Sequence, residues 1–171
     1  ESPIFASSLG VDTYAREVGD FSLAASDRRA ATAAAFLAKL NAIPQDQLDA
    51  ASKVEAGILA RSLNSTIEGN RFGQRAINFT TYSSWHQSFA GMANNLPFRT
   101  KADYESYNAR LAQYAAVNDQ NIDVANVAIR GKYTQPCETL QGFEATVTGL
   151  IVADPKKARH FGPYTRAKPE S

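Results

Sequence analysis

The residues best suited to chemistry gather in one stretch, NFTTYSSWHQSF, from Asn78 to Phe89. It holds the only tryptophan, Trp85, next to His86 and Tyr82, among serines and threonines. An aromatic wall with a few placed polar groups is what small-ligand sites use. Tyr82, Trp85 and His86 are therefore candidate substrate-binding residues. A loop pinned by a single buried Trp would have the same composition, so both readings stand. Arg99, in the stretch NNLPFRTKADYESYNARL from Asn94 to Leu111, is a fourth candidate.

Other chemistries find less support. The chain has two histidines, His86 and His160, and neither begins a His-Glu-x-x-His motif. Two histidines do not complete an all-His catalytic zinc site, which takes three. The expectation is no metal site and no cofactor within this chain. Cys137 follows Pro136, where a helix start would lower a thiol pKa; a small buried residue is the favoured reading. No Gly-x-Ser-x-Gly elbow, P-loop or dinucleotide fingerprint occurs. Glu55 and Glu68, and the basic run KKARH from Lys156 to His160, read as solvated helix residues. Tyr104, Tyr107 and Tyr114 read as core, with hydroxyls reaching the rim. No catalytic residue is assigned.

Composition narrows the class. The chain has 171 residues, 44% hydrophobic and 20% charged, with a net charge of +1. This is ordinary globular composition, long enough to bury a core without staples. So small a net charge draws the chain to neither nucleic acid nor an anionic membrane. No apolar run approaches the roughly 18 residues of a membrane span. The chain opens Glu1-Ser2-Pro3, its only Met is Met92, and Ala167 to Ser171 suggests no terminal element. It reads as a processed or truncated chain.

The elements that must hold these residues are helical. Ser22 is a plausible N-cap for a helix over about 23–43, with Ala33, Phe36, Leu37, Leu40 and Ile43 as its apolar stripe. Pro44 interrupts it. A second helix over about 45–68 carries Leu48, Ala51, Val54, Ile58, Leu59, Leu63 and Ile67, and Gly69-Asn70 stops it. The short link makes a helical hairpin of about 22–70. From 71 to 97 the periodicity fails, and a loop-rich insertion is expected, with a short helix near 84–93.

Thr100 and Asp103 have the spacing of a capping box. From there Tyr104, Tyr107, Leu111, Tyr114, Ile122, Ala125 and Ile129 predict one helix over about 101–130, closed by Gly131. About 30 residues would span about 45 Å. Pro136 suits the first turn of a further helix, with Leu140, Phe143, Val147, Leu150 and Ile151 as its stripe. Asp154-Pro155 opens a last short helix that Gly162-Pro163 should end. The predicted fold is all-α, a bundle of long antiparallel helices with a loop-rich insertion.

Three segments resemble a known family. NNLPFRTKADYESYNARL is similar to its Pro-Phe-[Lys/Arg]-Thr-x-x-Asp-Tyr-Glu-x-Tyr-x-x-Arg-Leu stretch. GKYTQPCETLQGFEATVTGLIVADP resembles its Gly-x-x-x-Pro segment, and FASSLGVDTYAREVGDFS resembles its opening. On these, the chain resembles the bacterial domain-of-unknown-function family 885 over nearly its whole length. The resemblance implies a largely helical, secreted or lipoprotein-type protein several times longer, similar to helical zinc metallopeptidases. Its localisation would be periplasmic or secreted, with a lipid anchor as an option. The family's metal motif, of the type His-Glu-x-x-Pro-Gly-His-His, would lie downstream, and nothing like it occurs here. Zinc, if used, belongs to that part. The partner of this chain would be the downstream half of the same polypeptide, with a peptide as substrate. The expectation is an N-terminal helical region that walls one side of a substrate channel. The alternative is a non-enzymatic helical scaffold or peptide-binding module.

Overall fold

The computed structural model describes residues 2–80 and 82–166. Thr81, within the candidate loop, and Ala167 to Ser171 lie outside the described residues. Helices build the fold: α1 (Pro3–Ser8), α2 (Leu23–Asn41), α3 (Ala50–Arg71), α4 (Trp85–Ala90), α5 (Lys101–Leu111), α6 (Tyr114–Arg130), α7 (Phe143–Thr148) and α8 (Gly162–Thr165). Among the described residues the only β pairing is an isolated bridge between Phe79 and Ser84. The all-α expectation holds at this level.

The helices α2 and α3 lie against each other. Ser22 caps α2 by accepting from the Ala25 amide, and Asp49 caps α3 by accepting from Ser52. The second helix starts later than expected, because Gln45–Gln47 forms a separate 3-10 turn before Asp49. Ser26 near the start of α2 bonds Asn70 near the end of α3 at 2.7 Å, so the two run antiparallel. Gly73, with φ of 71°, turns the chain out of α3 in a conformation that favours glycine. The apolar stripe is only partly used. Ala33 is buried and Leu37, Leu40, Leu63 and Ile67 are half-buried, but Phe36, Ile43, Val54, Ile58 and Leu59 are exposed. Over its 22 residues α3 buries none.

The core lies elsewhere. Val18, Phe89, Met92, Ala93, Tyr107 and Val117 form it, flanked by Ile4, Leu96, Phe98, Leu111 and Tyr164. It joins the N-terminal segment, α4, α5, α6 and the C-terminal turns rather than a row of long helices. Tyr107 is 1% exposed and donates its hydroxyl to the His160 carbonyl at 3.1 Å.

The single helix expected over 101–130 is divided at Ala112 and Gln113. The cause is the Gln113 side chain. Its Nε2 donates to the Ala109 carbonyl at 2.8 Å, the acceptor a continuous α-helix would give to Gln113's own amide. That amide turns instead to the Arg110 carbonyl, a tighter 3-10 bond. The same Nε2 reaches the Arg16 carbonyl at 2.7 Å, so the break ties the N-terminal segment to the helix.

The helix expected from Pro136 is also divided, into a 3-10 turn at Cys137–Leu140 and α7. Gly142, with φ of 79°, separates them, and Ile151 of the predicted stripe is exposed. Cys137 is exposed rather than buried, and a four-residue turn offers it little dipole. Asp154 does cap a turn at Pro155–Lys157 by accepting from Lys156. Gly162-Pro163, expected to end a helix, begins α8 instead, since Pro fits a first helical turn.

Candidate functional site

The capping box places Arg99. Thr100 accepts from the Asp103 amide at 3.3 Å, while Asp103 Oδ2 accepts from the Thr100 and Arg99 amides, each at 2.8 Å. Burial works to raise the Asp103 pKa, but the hydrogen bonds from Thr100 and Arg99 and the charge of Arg99 outweigh it, and the carboxyl ends below its usual range. The Arg99 backbone is thereby fixed while its side chain stays exposed. It borders a cleft of about 820 Å³ between the end of α1, the turn at Asp12–Tyr14 and the start of α5.

Trp85 stands at the first turn of α4. Its ring meets Phe79 edge-on at 5.6 Å, and its Nε1 donates to Asn118 of α6 at 3.0 Å. Half-buried, it lines a second cleft of about 310 Å³ together with Phe21, Phe89, Val117, Asn78 and Asn121. This cleft is mostly apolar. The two clefts share no lining residue, though α1 contributes Ile4 to one and Ser7 and Ser8 to the other. Tyr82 is 94% exposed on the loop before α4.

His86 sits inside. It is 4% exposed, and Nε2 lies 3.1 Å from Ser84 Oγ and 2.9 Å from Thr146 Oγ1. Ser84 gives its proton to Gln87 Oε1 and Thr146 gives its own to the Phe143 carbonyl. Both hydroxyls therefore accept from His86, which must carry its proton on Nε2. This is the reverse of a nucleophile–base pair, in which the imidazole takes the serine proton. Burial pushes the His86 pKa down and keeps the ring neutral. The ring fastens α4 to α7, with Phe143 edge-on at 5.5 Å. The structure thus brings Trp85, Tyr82 and His86 onto one short segment, turns His86 inward, and sets Arg99 in a different cleft.

Sequence reasoning passed over Arg110. It is 2% exposed, on the same helix face as Tyr107. Its guanidinium donates to the carbonyls of Glu17 at 2.8 Å, Tyr14 at 3.1 Å and Pro3 at 3.4 Å, and to Ser7 Oγ at 2.7 Å. Among the described residues no carboxylate pairs with it. Burial pushes its pKa down. The one available signal was its place beside an apolar stripe, three residues after Tyr107.

Among the described residues no group of three or more His, Cys, Asp and Glu is arranged to hold a metal ion, and no helix is long and apolar enough to cross a membrane. No curated protein and no solved structure matches the chain. A family model described as "Bacterial protein of unknown function (DUF885)" matches residues 3–170. The chain, matched over nearly all of its length, therefore belongs to the DUF885 family of bacterial proteins.

Proposed function

We propose that this chain is the N-terminal helical region of a larger, metal-dependent, peptidase-like hydrolase, and that it walls one side of that protein's substrate channel. The observation that carries the reading is α3, whose 22 residues include none that is buried. Val54, Ile58 and Leu59 stand 63%, 66% and 49% exposed, and Phe36 of α2 stands 57% exposed. Apolar surface of this kind favours a covering partner, and here that partner is the catalytic half of the same polypeptide. Tyr82 and Trp85 face the channel, His86 holds their segment in place, and zinc belongs to the catalytic half. The protein then works in the periplasm or outside the cell, with or without a lipid anchor.

The test compares this chain with a longer gene product. The longer protein should bind zinc and cleave peptides, and its α2–α3 hairpin should be protected from hydrogen exchange. Emission from Trp85, the only Trp, should shift to the blue and resist quenching there relative to this chain. Trp85→Ala should raise KM for a peptide by more than it lowers stability. A longer protein without zinc or peptide turnover would overturn the reading. The same exposed hairpin favours a second reading, a non-enzymatic module that docks a peptide or helix; saturable peptide binding without cleavage would support that one.

A further inference from the structure

The larger cleft is built differently from the Trp85 cleft: its lining carries two arginines and two aspartates, with a buried arginine behind it. Two arginines line it, Arg16 and Arg99, and both side chains are exposed. Neither forms an ion pair among the described residues. Their backbones are nevertheless fixed. Gln113 holds the Arg16 carbonyl, and Arg110 holds the carbonyls of Tyr14 and Glu17 on either side of it. Asp103 holds the Arg99 amide. Each arginine is thus a mobile cation on an anchored stem, so little backbone ordering remains to be paid when it grips a ligand.

Behind the wall lies Arg110, buried and without a carboxylate. A buried charge held only by neutral dipoles projects its field through its low-dielectric surroundings. Ser7 connects it to the cleft. That residue lines the cleft, is 4% exposed, and spends an oxygen lone pair on Arg110. Its own proton has no acceptor among the described residues. Asp12 and Asp103 also line the cleft and offset the two exposed arginines. Asp103 has Oδ2 occupied by two amides. Arg110 leaves the balance positive.

We propose that this cleft is an oxyanion-binding site, in which Arg16 and Arg99 grip a phosphate or carboxylate group and Ser7 donates its hydroxyl to it. Guanidinium forks suit either anion, since both present paired oxygens. The proposal is independent of the channel reading, because it uses neither Trp85 nor a downstream half.

The experiment titrates the 171-residue chain with inorganic phosphate, and in parallel with acetate, against sodium chloride at matched ionic strength. Thermal melting and amide chemical shifts are the two readouts. Phosphate, acetate or both should raise the melting temperature saturably beyond chloride, with shifts confined to Ser7, Arg16 and residues 94–100. Which anion binds more tightly identifies the source of the oxyanion. Arg16→Gln and Arg99→Gln should each weaken binding about tenfold, and the double variant should lose it. Both side chains are exposed, so the variants should melt like the parent without ligand. Equal response to chloride, shifts scattered over the surface, or full binding by the double variant would overturn the site.

Discussion

Arg110 concentrates more long-range hydrogen bonds than any other side chain described above. Replacing it with Ala would remove the buried donor from the Glu17, Tyr14 and Pro3 carbonyls and from the Ser7 hydroxyl, and of these Tyr14 keeps a second donor, the Glu17 amide. Stability should fall by about 3 kcal/mol, the scale for breaking a buried charged network, and urea melts would measure it. Arg110→Lys should recover little of this, since an ammonium lacks the planar fork that reaches four acceptors. Tyr107 sets a pH dependence. Burial, aided by Tyr164, raises its pKa from 10.0 to about 12. Between those values the unfolded phenol ionises while the folded one keeps its proton. The unfolded state then binds fewer protons, so stability falls as pH rises through that window. Tyr107→Phe should flatten part of the alkaline loss, and melts at pH 9.5 and 11.5 would show it. At this scale the sequence was legible where a residue's role is local. Thr100 and Asp103 announced their cap by spacing alone. Arg110 and His86 did not announce theirs, because Arg110 finds its partners among residues 3–17 and His86 adds Thr146, 60 residues away, to its neighbour Ser84, contacts that no local pattern encodes.

Secondary elements follow the same division. The capping box at the start of α5 makes Thr100→Ala a direct test, and the loss should be about 1 kcal/mol, read from the shift in the urea midpoint. Helix starts at Ser22 and Asp154 were legible for the same reason, since a side chain three or fewer residues from its target satisfies them. The division between α5 and α6 was not. Apolar spacing runs across it from Tyr107 through Leu111 to Tyr114, and the break arises because the Gln113 side-chain Nε2 takes the Ala109 carbonyl and reaches Arg16, 97 residues away. Gly142 hid a second break, because the Leu140, Phe143 and Val147 spacing continues past it. Periodicity reports which residues are apolar, and a tertiary hydrogen bond decides whether the helix through them is continuous.

For the molecule as a whole, the all-α class was legible, while the position of the core was not. Apolar stripes mark α2 and α3 as clearly as they mark α5 and α6, yet the core forms around α4, α5 and α6. Hydrophobic spacing marks a face to be covered without naming the cover. Substituting Ile58 with Asp should therefore change the stability of this chain by no more than about 0.5 kcal/mol, as for exposed positions generally. It should also reduce binding of a hydrophobic fluorescent dye. The same change in a longer gene product should be strongly destabilising if the hairpin is covered there. Metal content is a further whole-chain test. This chain should hold no stoichiometric zinc after dialysis, since a catalytic site needs three protein ligands in place; about one tightly held zinc per chain would contradict that.

The Arg110 cage also has a consequence for how the chain comes off the ribosome. Ser7 and its guanidinium partner are separated by 103 residues. At synthesis rates of about 5–20 residues per second, the N-terminal segment waits on the order of 5–20 s before Arg110 is made. Through that interval Pro3, Ile4 and Val18 have no core to enter, because Phe89, Tyr107 and Val117 follow much later. The hairpin of α2 and α3, built from contacts closer in sequence, has no such delay. Folding in the cell should proceed out of chain order, with the hairpin formed early and the first twenty residues closing late over α5. Ribosome-stalled chains ending near Arg110, long enough for α3 to clear the exit tunnel while Phe89, Tyr107 and Arg110 remain inside it, should show α2–α3 protected from protease and the N-terminal segment still cleavable.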